Sequence, residues 1–262
     1  MMARYFDTHA HLADARFDED REAVISGLAG AGVELICEVV CDLRTADKGL
    51  ALIASHDNFY GAVGMHPHYA DAMDNAGMDL LRGLLKRERI VALGEIGLDY
   101  HYDFSPRETQ KKWFDAQLCL AEELSLPVSL HIREAMGDCM DILRAHRASV
   151  IKNGGIMHCF SGSAETAREC LELGLMIGMG GSLTFKNARK LVEVAEVVPM
   201  ERIVLETDCP YMTPVPHRGE RNDPSFLPLV AEKLGEIKGM DPDEAADAAF
   251  MNGCRVYRLG IK

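Results

Sequence analysis

The sequence predicts an α/β protein with the architecture of a (β/α)8 TIM barrel. Short apolar runs alternate with segments of helical periodicity from one end of the chain to the other, and there are eight such runs. The runs are apolar on both faces, as expected for strands of a parallel sheet that helices cover. Eight strand–helix units within about 215 residues match this architecture.

The predicted strands follow one another at residues 3–7, 33–40, 59–65, 89–95, 127–132, 154–160, 175–181 and 202–206. Segments of helical periodicity lie between them, for example at 18–31, 106–125, 136–147 and 163–173.

Residue types at the ends of these segments support the helices. Ser105-Pro106 and Ser163 stand where helices would begin, and Gly32 and Gly174 stand where helices would end.

Two extra C-terminal helices are predicted at 224–238 and 241–258, so that residues 1–262 form a single domain. A doubly wound open sheet is the alternative fold. It lacks support because no GxGxxG motif follows a predicted strand, and "GMGG" at 178–181 is too short to form a phosphate loop.

The chain has a formal net charge of −13 and is 48% hydrophobic, as globular proteins are. This charge argues against a protein that coats nucleic acid nonspecifically, but an enzyme with a local basic patch remains compatible with it. Neither a signal peptide nor a membrane-spanning run is visible, which predicts a cytoplasmic protein. The eight cysteines form no CxxC pair, which favours small hydrophobic side chains in a reducing compartment.

Histidines and acidic residues gather where predicted strands end. They are His9 and His11 after the first strand, His66 and His68 after the third, Glu95, His131 and His158 after the next three, and Asp208 after the eighth. In a barrel, the residues past the carboxyl ends of the strands line one face, where active sites lie.

The H-x-H spacing of His9 and His11 puts both imidazoles on one side of a strand, where they can bind one cation. Imidazole and carboxylate ligands suit Zn, Mn or Mg, and the carboxylate of Glu95 could bridge two ions about 3.5–4 Å apart. For any one residue a structural role is the alternative: a satisfied core histidine for His131, a loop cap for Glu95. Asp7, beside the H-x-H pair, could orient a ligand.

The segments "FDTHAHL", "GMHPH", "GEIGLDY", "HIREA", "HCFSG" and "ETDCPYMTP" resemble, in order, those of the TatD-type metal-dependent deoxyribonucleases. The resemblance covers about residues 4–258 and implies a barrel of the metal-dependent hydrolase type. It implies that one divalent ion is held by His9, His11, Glu95 and Asp208, and a second by Glu95, His131 and His158. The predicted catalytic residues are Asp208, as a general base, and Glu95.

The activity implied is hydrolysis of phosphodiester bonds, as a 3′-5′ exonuclease on single-stranded DNA or RNA, by a water that two metal ions activate. Candidate phosphate contacts are His66, His68, Arg133, Lys186, Arg218 and Arg221. Solvated loop charges are the alternative for these cations. Glu206 is a candidate support for the ligands, Tyr211 could stack on a base, and Trp113 is expected in the core.

The predicted partner is therefore a nucleic-acid substrate, without membrane association, and a monomer is favoured. Two other functions stay open. The ligand set also permits a metal-dependent hydrolase of a small amide, lactone or phosphoester, because activated water attacks carbon as well as phosphorus. A non-enzymatic barrel with a structural metal is less compatible, because structural sites are usually closed by cysteine ligands.

Overall fold

The computed structural model describes residues 3–261, and its eight parallel strands confirm the predicted barrel. Each strand pairs with the next along the chain, from the first to the eighth. The strands are β1 (Tyr5–Ala10), β2 (Val33–Val40), β3 (Phe59–Val63), β4 (Ile90–Asp99), β5 (Val128–Arg133), β6 (Gly155–Met157), β7 (Leu175–Met179) and β8 (Ile203–Leu205).

The barrel is closed by contacts between the start and the end of the chain. Ala10 forms a parallel bridge with Cys209. The backbone N–H of His11 donates to the carbonyl of Cys209 at 2.9 Å, and that of Asp208 donates to the carbonyl of His9 at 2.9 Å. Predicted ligands from the two ends of the sequence are therefore neighbours in space.

Helices cover the sheet between successive strands, and two further helices follow β8 as predicted. The helices are α1 (Arg21–Gly27), α2 (Ala46–Ser55), α3 (Asn75–Leu84), α4 (Arg107–Leu124), α5 (Met136–Ala145), α6 (Arg147–Asn153), α7 (Ala164–Glu172), α8 (Arg189–Val197), α9 (Leu227–Lys238) and α10 (Pro242–Val256).

Most of the predicted helix ends are confirmed. Ser163 caps α7 by accepting from the N–H of Thr166, and Gly32 and Gly174 both adopt positive φ angles after helical turns. Helix α4 begins at Arg107, directly after the predicted Ser105-Pro106 start, but without a side-chain cap. The hydroxyl of Ser105 instead accepts from the N–H of Asp71 and donates to the carbonyl of His68, both in the loop after β3.

β4 is longer than predicted and continues four residues beyond Glu95. Gly97 permits this extension, since its φ is +145° and a Cβ there would lie 2.0 Å from the carbonyl oxygen of His131. β6 and β8 are shorter than predicted, because the chain leaves the sheet before His158 and before Glu206. Both of these residues thus belong to the mouth of the barrel.

All eight cysteines are free thiols, and five are buried as small hydrophobic side chains. Cys41 differs, since its sulfur lies 3.3 Å from a carboxylate oxygen of Glu95. Trp113 is buried on α4, as predicted. Within residues 3–261, no helix combines the length and the apolarity that crossing a membrane requires. The cytoplasmic location, the monomeric state and the single domain of residues 1–262 stay predictions.

Candidate metal centre

The end of β1 presents two imidazoles to the mouth of the barrel. The Nε2 atoms of His9 and His11 lie 3.2 Å apart. Each ring is held through its other nitrogen. Nδ1 of His11 faces the carbonyl of Val39 at 3.2 Å, and Nδ1 of His9 faces the hydroxyl of Ser129 at 3.3 Å. When Nδ1 of His11 donates to the carbonyl of Val39, Nε2 is the nitrogen left to bind a metal ion.

Glu95 occupies the centre of the site and is buried. Its Oε2 lies 3.4 Å from Nε2 of His9 and 3.9 Å from Nε2 of His11. Its Oε1 faces three further imidazole nitrogens, at 2.8 Å from Nδ1 of His131, 3.7 Å from Nε2 of His158 and 3.8 Å from Nε2 of His66. One carboxylate thus faces five histidines from the ends of four different strands.

Asp208 closes the side of the site next to β1. Its Oδ1 lies 3.4 Å from Nε2 of His11 and 3.6 Å from Nε2 of His158. The residue adopts a φ of +58°, and the N–H of Tyr211 donates to its carbonyl at 2.8 Å. This tight turn aims the carboxylate back over the barrel mouth.

Glu206 supports His158, as the sequence indicated. Nδ1 of His158 and Oε2 of Glu206 lie 3.2 Å apart, although they are not aligned as a hydrogen bond. The other oxygen of Glu206 accepts from the N–H of Cys159. Gly178 makes room for this carboxylate, because a Cβ there would lie 2.5 Å from it. A buried carboxylate behind Nδ1 leaves Nε2 of His158 directed at Glu95 and Asp208.

Asp7 has a structural part in the site. Its carboxylate accepts from the N–H and hydroxyl of Thr207 and from the N–H of His9. It therefore ties β1 to the segment that carries Asp208. Burial raises the pKa of Asp7 to about 7, although these hydrogen bonds oppose the shift.

Sequence reasoning missed Asp99. This fully buried carboxylate lies 2.8 Å from Nε2 of His68 and 3.1 Å from Nε2 of His131. Backbone N–H groups of His101 and Tyr102 also donate to it. The signal was present in "GEIGLDY", because a residue four positions after Glu95 lies on the same side of a strand.

The histidines keep the central carboxylates ionised. Burial alone would raise the pKa of Glu95, but the surrounding histidines, His9 and His66 foremost, outweigh burial and hold that pKa well below its usual range. Burial is likewise outweighed for His131 and His158. The carboxylates beside them, Glu95 and Glu206 foremost, raise both pKa values to about 9.

The donor atoms fit divalent ions. His9, His11 and Asp208 form one group whose ligand atoms lie within 4.8 Å of one another, and His66, Glu95 and His131 form another. Ligands bonded to one ion at about 2.1 Å are separated from each other by roughly 3–3.5 Å, and most distances in the first group are of this size. A mixed set of imidazole and carboxylate donors suits Zn, Mn or Mg.

The predicted substrate contacts have diverse surroundings. His66 lies within the ligand cluster, and His68 is held by Asp99. Arg133, the last residue of β5, and Lys186, on the loop past β7, are both exposed. The guanidinium of Arg218 stacks on Phe185 at 3.8 Å and donates to a carbonyl.

Arg221 is held more firmly than the other predicted phosphate contacts. Both of its terminal nitrogens lie 2.7 Å from the carboxylate oxygens of Asp20, and its guanidinium lies over the ring of Phe17. A role for any of these side chains in phosphate binding stays a prediction.

Comparisons with known proteins point to one family. A family model described as TatD related DNase matches residues 6–258. The uncharacterised metal-dependent hydrolase YabD of Bacillus subtilis strain 168 is 44% identical over 256 residues, which cover 97% of this chain and 99% of that protein. The 3′-5′ ssDNA/RNA exonuclease TatD of Erwinia tasmaniensis is 34% identical over 260 residues, which cover 97% and 100% of the two chains.

Solved structures also match over nearly the whole chain. The crystal structure of YjjV, a TatD homolog from Escherichia coli K12, superposes with a TM-score of 0.91 at 33% identity and covers 98% of this chain and 99% of that one. The phosphotriesterase homology protein from Escherichia coli superposes with a TM-score of 0.70 at 14% identity over 98% and 99% of the chains, which shows a shared fold alone.

Proposed function

The chain belongs to the TatD-related DNase family of metal-dependent hydrolases, and on this premise we propose that it is a 3′-5′ exonuclease on single-stranded DNA or RNA. The observation that carries the proposal is the position of Glu95, a buried carboxylate with imidazole nitrogens of five histidines within 3.9 Å. A relative that is named as such an exonuclease aligns over 97% of the chain.

We further propose that the site holds two divalent ions, Mg, Mn or Zn. His9, His11 and Asp208 would hold the first with one oxygen of Glu95. His131 and His158 would hold the second with the other oxygen, and His66 is a further donor beside it. When bound, two such ions supply Lewis acidity toward the phosphodiester and toward the attacking water.

The carboxylate of Asp208 can accept the proton of the attacking water. The carboxylate of Asp208 is the most exposed of the site's carboxylates and faces the mouth, where it can take a proton from an incoming water. Burial would raise its pKa, but the charges of His158 and His11 outweigh burial and keep the pKa below its usual value. Asp208 is thus ionised at neutral pH and ready to act as a base.

Asp99 sets the orientation of the rings on the opposite side. It accepts from Nε2 of both His68 and His131, which leaves Nδ1 of His131 directed at Glu95. This carboxylate–histidine arrangement fixes the tautomer of a metal-binding imidazole.

The test is nucleotide release from a 5′-labelled single-stranded oligonucleotide. Metal-stripped protein should leave the oligonucleotide intact, and added Mg, Mn or Zn should produce a ladder that shortens stepwise from the 3′ end. A blunt duplex of the same sequence serves as the control and should be cut far more slowly.

Protein that binds about two ions and cleaves no oligonucleotide with any metal would contradict the nuclease proposal. Small phosphoesters, lactones and amides would then be the substrates to assay. A His158→Ala variant of the active enzyme should lose the ladder.

A further inference from the structure

The exposed aromatic side chains gather around the metal centre. Eight large hydrophobic side chains are exposed among residues 3–261, and four of these are aromatic. All four lie on loops that follow strands at the mouth of the barrel, and together they form what we call the aromatic rim: Tyr69, Tyr102, Phe104 and Tyr211. Isolated exposed hydrophobic residues are ordinary on protein surfaces, whereas a cluster beside a site indicates binding.

Each ring of the aromatic rim lies against a histidine of the site. Tyr211 is 6.5 Å from the ring of His11, measured between centroids. On the opposite side of the barrel, His68 is 5.4 Å from Tyr102 and 4.9 Å from Phe104. Aromatic rings therefore flank the metal centre on two sides.

Tyr102 and Phe104 form a stacked pair. Their planes are 12° apart and their centroids are separated by 5.2 Å. Phe104 is 66% exposed, the highest value among the large hydrophobic side chains, and Tyr102 is 47% exposed. The guanidinium of Arg133 lies 4.8 Å from the centroid of Tyr102. The pair is therefore a solvent-exposed aromatic surface, and a cation lies over its Tyr102 ring.

The charges of the rim are largely compensated. Arg16 stacks on Tyr211 and Arg44 on Tyr69, but both guanidinium groups are paired with neighbouring aspartates. Among the described side chains, Arg133 has no carboxylate within 4 Å. A rim with ring faces and few free cations recognises bases better than phosphates.

We propose that Tyr102 and Phe104 form a stacking platform for an unpaired base next to the scissile phosphate, and that Tyr211 forms a second platform across the mouth. The inference rests on the proposed nuclease function. It also gives a physical reason for single-strand preference, because the bases of a duplex stack on one another and present no free face.

The test compares variants that separate ring stacking from apolar area. The ligand is a 5′-fluorescent single-stranded DNA whose 3′-terminal linkages are phosphorothioates, so that metal-loaded protein binds it with little turnover. Phe104→Ala should weaken binding about tenfold. Phe104→Leu should weaken it nearly as much, whereas Phe104→Trp should retain it. Leu80→Ala, which removes a 49% exposed apolar side chain on α3, is the control and should have no effect.

A second ligand tests whether the base is what Phe104 contacts. In this oligonucleotide, abasic residues replace the last three nucleotides. Wild-type protein should bind it about tenfold more weakly, and Phe104→Ala should then bind it no worse than wild type does. The logarithm of wild-type affinity for the normal ligand should fall with the logarithm of salt concentration with a slope of about −0.7 to −1.4, which corresponds to one or two phosphate contacts.

The outcomes separate this inference from the proposed function. If wild-type protein produces the 3′ ladder but Phe104→Ala binds within twofold of the Leu80→Ala control, the nuclease stands and the platform is wrong. If Phe104→Leu binds like wild type, apolar area rather than stacking is responsible, and the platform is again wrong. If wild-type protein neither binds nor cleaves the oligonucleotides, both proposals fail.

Discussion

The two halves of the metal centre are built from the same residue types, yet their polar atoms are satisfied in different ways. In the half formed by β1 and β8, Nε2 of His9 faces Nε2 of His11 at 3.2 Å, and the nearest carboxylate oxygens lie at 3.4 Å. In the half formed by β3, β4 and β5, Asp99 and Glu95 lie 2.8–3.1 Å from the nitrogens of His68 and His131.

This difference shows how each half relates to an ion. Protein groups hold the Nδ1 atoms of His9 and His11, so their Nε2 atoms converge on one point, where a single cation can bind both. Both nitrogens of His131 already face carboxylates. We therefore expect the β1–β8 half to depend on metal and the β3–β5 half to orient ligands even without it.

The largest effect should come from the one residue that both halves share. Glu95→Gln removes the negative charge between the histidines, so metal content should fall and nuclease activity should drop at least about a thousandfold. Metal analysis and the oligonucleotide ladder measure the two effects. Glu34→Gln changes an exposed carboxylate on β2 and should leave both unchanged. Full activity in Glu95→Gln would rule out a bridging role.

A pair of alanine variants should separate the halves. His11→Ala removes a proposed ligand of the first ion in the β1–β8 half, beside Asp208, so the protein should retain about one ion fewer and lose activity by roughly a hundredfold or more. His68→Ala removes a ring held by Asp99 and should leave the metal count unchanged. Equal metal loss in both variants, measured by elemental analysis after gel filtration, would contradict this division of the site.

Asp99→Asn tests the orienting carboxylate itself. The amide removes the charge that helps to raise the pKa of His131, and it holds the two rings less firmly. Loss of such a supporting group typically costs 10–100-fold in metal affinity or activity. Titration of metal-stripped protein with Zn measures the affinity. An unchanged affinity and an unchanged rate would show that Asp99 only fills space.

A smaller effect concerns Glu38, which supports the loop after β1 by accepting from the N–H groups of Leu12 and Ala13. Burial raises its pKa from 4.5 to about 7, although these hydrogen bonds oppose the shift. The folded state therefore binds this proton more tightly than the unfolded chain does. Stability from this group is complete below pH 4.5 and is lost as the pH rises to 7, by roughly 3 kcal/mol.

A Glu38→Gln variant should not lose stability in this way as the pH rises, because its amide does not titrate. In urea unfolding of metal-stripped protein, the free energy of unfolding of the variant should rise relative to that of wild type between pH 5 and pH 8. The difference between the two proteins at pH 5 does not affect this expectation. The comparison cancels other titrating groups that both proteins share. A difference in the free energy of unfolding that does not change with pH would contradict the assigned pKa.

The metal centre was predictable from the sequence because apolar runs mark the strands. In a parallel barrel, the residues that follow the strands all lie at the same end of the barrel. This principle placed His9, Glu95 and Asp208 together although they are distant in the chain. It did not predict Asp99, because the predicted strand ended at Glu95. The strand continues to Asp99 because Gly97 has no side chain to collide with the backbone of β5, and that contact is not visible in the sequence.

The hydrogen-bond and ion-pair partners of individual side chains could not be predicted from strand positions. The ion pair between Arg221 and Asp20 joins residues 201 positions apart, and no local pattern marks it. The difference between the two halves depends on which nitrogen of each ring meets a protein group, and that follows from rotamers and packing rather than from spacing.

The closure of the barrel by β1 and β8 has a consequence for biosynthesis. Asp208 follows His9 by about 200 residues, so at 5–20 residues per second the two are synthesised roughly 10–40 s apart. During that interval the nascent chain has several histidines but lacks both the aspartate and the β1–β8 seam that aligns them. The metal centre therefore cannot be completed until Asp208 has been synthesised and its segment has docked beside β1, and hydrolytic activity cannot begin earlier.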